Sequence, residues 1–307
     1  VVGQKVIALE SVGCYVAGGG YPLPSSALMS IIPAKAAGVG EVIVCSPNIK
    51  PATVVAAYIA GADRIFSIGG AQAIGAMAYG TESVPVVNKI VGPGNNFVTA
   101  AKKQVYGRVG IDFMAGPSEV LVIADETGDP ELIAADLLAQ AEHDTYSRSD
   151  LITTSKELAN KVKKEVSKQL QNLPTRDVAS KAIENGFIVV ADNIRQAVDI
   201  SNERAPEHLE IQVQEENELI GYLKNYGALF IGKGSAEVFG DYCAGPNHIL
   251  PTNEAAKYTG GLSVKDFVKF STYQRVVDSS GIAESAVKLA EAEGLYGHKS
   301  AAERRKS

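Results

Sequence analysis

Short apolar segments of strand-forming residues alternate with helical segments along the first hundred residues of the chain. Residues 41–45 (EVIVC) precede Pro51 and an alanine-rich helix to about residue 62, and residues 64–68 (RIFSI) precede a helix over residues 71–79. Strands that are apolar on both faces and alternate with helices are typical of a parallel sheet with helices on both sides. This alternation restricts the chain to an α/β fold.

The same alternation resumes after Gly116-Pro117-Ser118, so we expect a second sheet to begin there. Asp129 and Pro130 predict the start of a helix that runs to about residue 143. From about residue 260 the pattern becomes helical. The further strands are expected at residues 119–123, 151–153, 187–190 and 228–231.

Composition excludes several classes of function. The 307 residues carry a formal charge of −6, which leaves no basic surface for nucleic acid. The most apolar stretch, residues 52–62, is too short to span a bilayer, so no membrane association is expected. Three widely spaced cysteines indicate a reducing compartment and predict a cytoplasmic location. Because strand-like sequence begins at Val1, we also expect that the natural protein has a preceding N-terminal part.

Three glycine-rich turns follow predicted strands, at residues 18–20, 69–72 and 92–95. The second and third lead into helices, whose first backbone N–H groups attract anions such as pyrophosphate. The chain has neither a Gly-x-Gly-x-x-Gly sequence nor a Walker lysine sequence, so by their spacing alone these turns are ordinary α/β connections. Gln72 and Asn95 favour a polar ligand, because each places an amide just after a turn.

The chain has only four histidines, and each lies beside an acidic residue or a glycine-containing turn. Gln140 and His143 are three residues apart on the predicted helix, so both could reach one metal ion. Asp241, in a turn-like segment, and His298, just past a predicted helix end, are candidate further ligands. The alternative is that Gln140 and His143 only cap the end of their helix.

Glu207 and His208 are neighbours on a predicted strand, where adjacent side chains point in opposite directions. They are therefore suited to two separate tasks, and they provide two general bases of different intrinsic pKa. Pro206 restricts the backbone immediately before them. Cys243 is a candidate nucleophile, but the sequence places no activating base beside it, which favours a packing role or a position near the site.

From about residue 12 to the C-terminus the sequence closely resembles the histidinol dehydrogenase family, whose members usually carry an additional N-terminal segment. The resemblance is highly specific, because many short stretches match in the same order. The matching stretches are GGAQAI (69–74), VGPGN (91–95), AGPSE (115–119), QAEH (140–143), APEHLE (205–210), GDY (240–242), AGPNH (244–248) and EAEGL (291–295).

The resemblance implies oxidation of L-histidinol through L-histidinal to L-histidine, the last two steps of histidine biosynthesis, with two NAD and one water consumed. It implies two incomplete Rossmann-like domains with parallel sheets and a C-terminal helical extension. Residues 1–117 would bind NAD, residues 118–260 would carry the metal and catalytic residues, and residues 261–307 would reach the partner subunit of a homodimer.

The resemblance also implies specific roles for residues of this chain. Glu207 and His208 would be the catalytic bases, and Tyr15, Gln72 and Asn95 would contact NAD. The metal ligands would be Gln140, His143, Asp241 and His298, with zinc anchoring the substrate. The substrate contacts would be Ser118, Gln140, His143, His208, Asp241, His248, Glu293 and His298, of which Glu293 and His298 would complete the site of the partner.

Two other functions fit parts of the sequence. A zinc hydrolase could use Glu207 or Glu142 to activate a metal-bound water, although the chain lacks a His-Glu-x-x-His sequence. A catalytically inactive metal-binding homologue would retain the ligands without turnover. An assay for NADH with histidinol separates both from a dehydrogenase.

Overall fold

The computed structural model describes residues 1–18 and 22–305. Gly19 and Gly20, two of the three glycines in the first predicted turn, lie outside the described residues. The chain divides into two compact units. The larger unit comprises residues 8–268, and the smaller unit comprises residues 1–7 and 269–307.

The first sheet of the larger unit has five parallel strands. In chain order they are β2 (Ser11–Tyr15), β3 (Glu41–Cys45), β4 (Arg64–Phe66), β5 (Lys89–Val91) and β6 (Gly110–Ile111). In space their order is β4-β3-β2-β5-β6, so the direction of strand addition reverses between β2 and β5. Such a reversal opens a crevice at the carboxyl ends of the two strands, where α/β proteins commonly bind ligands.

Four helices cover both faces of this sheet, as the continuous apolar strands require. They are α1 (Pro24–Ala36), α2 (Pro51–Ile59), α3 (Gly70–Tyr79) and α4 (Asn96–Val105). Val42 and Val44 of β3 pack in one buried cluster with residues of α1 and α2. Ile43, between them, belongs to a second cluster with residues of α3 and α4.

The second sheet repeats this topology. Its five parallel strands are β7 (Glu119–Ala124), β8 (Arg148–Thr153), β9 (Ile188–Val190), β10 (His208–Gln212) and β11 (Ala228–Ile231). Their order is β11-β10-β7-β8-β9, with the reversal between β7 and β10. The helices of this region are α5 (Pro130–Ala141), α6 (Lys156–Leu170), α7 (Arg176–Ile183), α8 (Ile194–Arg204), α9 (Glu216–Ile220) and α10 (Glu237–Tyr242).

Helix α5 begins where the sequence indicates. The Asp129 carboxylate accepts hydrogen bonds from the backbone N–H groups of Glu131 (2.9 Å) and Leu132 (3.4 Å), and Pro130 is the first helical residue. The helix ends at Ala141, however, rather than at the predicted residue 143, because the backbone of Glu142 caps it.

Strands β1 (Val2–Ala8) and β12 (Val268–Gln274) pair, and all of their residues except Ala8 and Val268 lie in the smaller unit. The smaller unit also contains helices α11 (Ser280–Ala292) and α12 (Tyr296–Glu303). The sequence indicated helix throughout the region after residue 260. This interpretation is wrong for β12, whose sequence VKFSTYQ is rich in β-branched and aromatic residues that favour strands. Two short 3-10 helices, Ala255–Lys257 and Val264–Phe267, precede it.

The predicted fold class, an α/β fold with two parallel Rossmann-like sheets and C-terminal helices, is confirmed. Among the helices of residues 1–18 and 22–305, none is long and apolar enough to cross a membrane. Cys14, Cys45 and Cys243 are all free, with the first two buried and the third exposed.

Candidate active site

The amino end of β10 carries the two residues predicted to act as bases. Ala205 ends α8 in the left-handed conformation (φ 47°), and Pro206 and Glu207 lead directly into β10, which begins at His208. Both side chains are buried, with His208 only 3% exposed. These residues therefore lie at the amino end of their strand, opposite the carboxyl end where α/β sheets commonly bind ligands.

The surroundings of His208 determine which ring nitrogen is basic. Nδ1 lies 2.9 Å from the carbonyl oxygen of Glu119, which can only accept, so Nδ1 carries the hydrogen. Nε2 is then the basic atom, and it lies 2.8 Å from Nε2 of His248. Burial lowers the pKa of His208 well below its usual value, and the neighbouring His248 and His143 lower it further. The ring is therefore neutral at pH 7 and able to accept a proton.

Glu207 occupies a separate environment. Its Oε2 lies 2.7 Å from the Ser118 hydroxyl and accepts a hydrogen bond from the Glu119 backbone N–H at 3.1 Å. Burial raises the pKa of Glu207 to about 8, although the Ser118 and Glu119 hydrogen bonds favour the ionised form. The negative charges of Glu119 and Asp241 also raise this pKa. At neutral pH the Glu207 carboxyl is thus mainly protonated in the ligand-free chain.

Ser118 connects Glu207 to Gln140, which is completely buried in α5. The Gln140 amide is satisfied when its oxygen lies 3.2 Å from the Ser118 hydroxyl and its nitrogen donates to Glu237 Oε1 at 2.8 Å. The Ser118 hydroxyl donates to Glu207 Oε2, the nearer of the two acceptors, and also lies within reach of the Gln140 oxygen. This hydrogen bond favours the ionised Glu207, whereas burial favours the protonated form.

Three side chains form a cluster suited to a metal ion. One potential ligand atom from each of His143, Glu237 and Asp241 lies within 4.8 Å of the other two. Glu237 and Asp241 are one turn apart on α10 and so project from the same face, while His143 follows the end of α5. Imidazole nitrogen and carboxylate oxygen are both good zinc ligands.

Glu237 was not identified from the sequence. It is 2% exposed, and burial raises its pKa well above the usual value, with Asp241 and Glu207 adding to the effect. The sequence indicated a turn at Asp241, but the structure has the short helix α10 there. Once that helix is recognised, the spacing of four residues between Glu237 and Asp241 is the signal that could have found Glu237.

His248 contacts both His208 and Asp241, and so connects the candidate bases to the cluster of His143, Glu237 and Asp241. Its ring stacks on that of His208 with centroids 4.7 Å apart, and its Nε2 is 3.7 Å from Asp241 Oδ1. Burial lowers the pKa of His248, while Asp241 opposes the shift. A Cβ added to Gly240 would lie 2.6 Å from His248 Cε1, so glycine at this position permits the close approach of α10 to the ring.

The predicted NAD contacts lie at the carboxyl ends of strands in the first sheet. Tyr15 ends β2, and its hydroxyl accepts a hydrogen bond from the Gly70 backbone N–H at 3.1 Å. Gln72 lies in the first turn of α3. Asn95 is the N-cap of α4, where its side-chain oxygen accepts from the backbone N–H groups of Phe97 and Val98, each at 3.1 Å. The Asn95 side chain is exposed.

The last two predicted contacts, Glu293 and His298, belong to the smaller unit. Glu293 caps the C-terminus of α11 and is exposed. His298 lies within α12 and is exposed, whereas the sequence placed it just past a helix end. Cys243, which follows α10, is also exposed. The larger unit therefore holds the two bases, the metal-ligand cluster and the predicted NAD contacts.

The chain is similar to known proteins along nearly its whole length. The sequence profile of the histidinol dehydrogenase family matches residues 1–306. The histidinol dehydrogenase of Clostridium acetobutylicum is 49% identical over 306 residues, which are 97% of this chain and 71% of the relative. The histidinol dehydrogenase of Bacillus cereus is 50% identical over 303 residues, which are 96% of this chain and 71% of the relative.

A solved structure is similar along nearly the whole chain. The crystal structure of histidinol dehydrogenase from Elizabethkingia anophelis superposes with a TM-score of 0.95 at 41% identity, and covers 99% of this chain and 72% of its own. The predicted resemblance and the expectation of an oxidoreductase are confirmed. The chain belongs to the histidinol dehydrogenase family.

Proposed function

We propose that the chain oxidises L-histidinol through L-histidinal to L-histidine, the last two steps of histidine biosynthesis, with NAD as oxidant and zinc as the metal. Family membership supports this substrate, since the similar proteins are named histidinol dehydrogenases. The observation that carries the proposal is the pair of candidate bases at the start of β10, each with its own supporting contacts.

The two bases match the two proton donors of the reaction. The first oxidation removes a proton from an alcohol, and we assign this proton to Nε2 of the neutral His208. The second oxidation requires that water adds to the aldehyde, and we assign the water proton to the Glu207 carboxylate. Because Glu207 has a pKa of about 8 in the ligand-free chain, a nearby positive charge would favour its active, ionised form.

The donor set suits a divalent cation. His143 and Asp241 supply an imidazole and a carboxylate, and Gln140 adjoins them through its contact with Glu237. We propose Gln140, His143, Asp241 and His298 as the zinc ligands. When bound, zinc would hold the substrate in place, and NAD would accept a hydride in each of the two oxidations.

The remaining assignments follow from the resemblance. Tyr15, Gln72 and Asn95 are proposed to contact NAD. Substrate contacts are proposed for Ser118, Gln140, His143, His208, Asp241, His248, Glu293 and His298. We further propose a cytoplasmic homodimer in which residues 261–307 reach the partner, so that Glu293 and His298 act in the site of the other subunit. Residues 1–117 and 118–260 would then be the NAD-binding and catalytic domains.

The test is an NADH absorbance assay on the zinc-loaded chain with histidinol. We expect NADH formation that requires histidinol, NAD and the metal. Consumption of histidinol that does not require NAD would indicate a hydrolase and contradict the proposal. Binding of histidinol and NAD without turnover would instead indicate an inactive homologue.

A further inference from the structure

A buried ion pair joins Lys102 to Asp112 in the first sheet region. The two side chains are 2% and 1% exposed. Lys102 lies in α4, and Asp112 directly follows β6. Removing two charges from water is costly, and an ion pair buried in this way often stabilises a fold no better than apolar side chains would. A role beyond stability is therefore indicated by the backbone groups that the two side chains bind.

Both members of the pair bind the backbone of one residue. The Asp112 carboxylate accepts a hydrogen bond from the Gly92 N–H at 2.7 Å, and the Lys102 ammonium donates to the Gly92 carbonyl oxygen at 3.0 Å. Gly92 directly follows β5, at the carboxyl end of the sheet where the direction of strand addition reverses. The ion pair thus fixes both polar backbone groups of Gly92.

Gly92 has a backbone conformation that other residues rarely adopt, with φ at +110°. An added Cβ would lie 2.0 Å from the carbonyl oxygen of Tyr15, so Gly92 packs directly against the end of β2. Three residues later, Asn95 caps α4. The turn of residues 92–95 is therefore held at one end by the ion pair and at the other by the helix that contains Lys102.

We propose that Lys102 and Asp112 are positioning residues for NAD, acting through the Gly92–Asn95 turn. This inference rests on the proposed function, in which Tyr15 and Asn95 contact NAD. Neither member of the pair touches the cofactor in this account. By fixing Gly92 between β2 and α4, the pair holds Asn95 and Tyr15 at the spacing that the cofactor requires.

The test measures NADH binding by fluorescence titration, together with the KM values for NAD and histidinol. The double variant Lys102→Met, Asp112→Leu replaces the pair by apolar side chains of similar size and removes both contacts with Gly92. We expect at least a tenfold weaker affinity for NADH and a similar rise in KM for NAD. The KM for histidinol and the bound zinc should stay within twofold of the native values.

A second variant separates the hydrogen bond from the charge. Lys102→Met, Asp112→Asn retains an acceptor for the Gly92 N–H without a buried charge. We expect this variant to recover NADH affinity to within about threefold of the native chain. It also provides a test of the inference if the first variant fails to fold. A purely structural role for the pair predicts no such selective recovery of NAD binding.

The control is the ion pair of Lys35 and Asp63, 2.5 Å apart, in the same sheet region, although these side chains are 28% and 40% exposed. Asp63 also accepts a hydrogen bond from a backbone N–H, that of Val42 at 2.7 Å, but at the amino end of the sheet. Lys35→Met, Asp63→Leu should leave NADH affinity unchanged.

Unchanged NADH affinity in folded Lys102 and Asp112 variants would overturn this inference but not the proposed function. An equal loss of NADH affinity in the Lys35 and Asp63 control would do the same. If the native chain itself does not bind NADH, the proposed cofactor is wrong, and the inference falls with it.

Discussion

At the scale of single residues, burial sets the protonation of the two candidate bases in opposite directions. It lowers the pKa of the His208 imidazole and raises that of the Glu207 carboxyl to about 8, so both side chains are uncharged in the ligand-free chain at pH 7. A neutral imidazole is ready to accept a proton, whereas a carboxyl must first lose one. The two residues are therefore prepared for different steps.

Replacing Glu207 by Gln should separate the two oxidations. Glutamine keeps the size of the side chain and an oxygen for the Ser118 and Glu119 contacts, but it cannot accept a proton from water. We expect histidinol oxidation to change little and histidinal oxidation to slow by about 100-fold or more. The measurement is NADH formation from each substrate in a single turnover. Normal rates with both substrates would show that Glu207 is not the second base.

The rarity of histidine and the acidic or glycine neighbours of each occurrence draw attention to the four histidines, whereas Tyr15, Ser118 and Glu293 are candidates only through the resemblance. The sequence does not identify Glu237. The importance of that residue depends on the α10 helix and on burial against Gln140, and neither property is visible in the local sequence.

At the scale of elements, α5 and β10 each place a carboxyl group in the protein interior. Asp136 of α5 and Glu210 of β10 are 9% and 1% exposed, and each affects the pKa of the other. Glu210 Oε2 has no hydrogen-bond partner among residues 1–18 and 22–305. Burial raises the pKa of Asp136 to about 6 and that of Glu210 to about 8, the latter also because of the Asp136 charge.

This pair should make the chain less stable as the pH rises. Both carboxyls bind their protons more tightly in the folded state than in the unfolded state, so the free energy of unfolding falls between about pH 4 and pH 8. Asp136→Asn removes one ionisable group and supplies a donor to Glu210. We expect the variant to exceed the native chain in stability by about 1–2 kcal/mol at pH 8.5 and by little at about pH 4, where Asp136 is still largely protonated in both states.

Urea unfolding at the two pH values provides the measurement. Asp177→Asn is the control, since the Asp177 side chain is 98% exposed, and it should show no pH-dependent gain. An equal effect of Asp136→Asn on stability at both pH values would contradict the claim that burial raises the pKa values of Asp136 and Glu210.

Several strands of the two parallel sheets are predictable from the sequence because they are largely apolar and lie between helices, namely β3, β4, β7, β8, β9 and β11. Two other elements are not. β12 was interpreted as helix because its partner β1 lies more than 250 residues away, and α10 was interpreted as a turn because it is short and contains Gly240. In both cases contacts distant in the sequence determine the local structure.

At the scale of the whole molecule, the first and last segments of the chain form one compact unit, whereas the sequence suggested a linear succession of segments. That unit carries Glu293 and His298, which the proposed homodimer assigns to the active site of the partner. The complete site would then need two chains, although the bases and the His143, Glu237 and Asp241 cluster all belong to residues 8–268.

Mixed dimers test this assignment. His208→Ala chains and His298→Ala chains should each be inactive alone, but a mixed dimer has one site with both histidines. After random exchange in equal amounts, about a quarter of all sites should be intact, so about a quarter of the native activity should return. Native mass spectrometry would verify that the chains have exchanged. Complete inactivity of verified mixed dimers would contradict the assignment of His298 to the partner.

The most direct test of the central claim is the number of NADH molecules formed for each histidinol consumed by the zinc-loaded chain. Two oxidations by adjacent bases at one site predict two NADH per histidinol, with histidine as the product. A ratio of one with histidinal as the final product, or consumption of histidinol without NADH, would contradict the account.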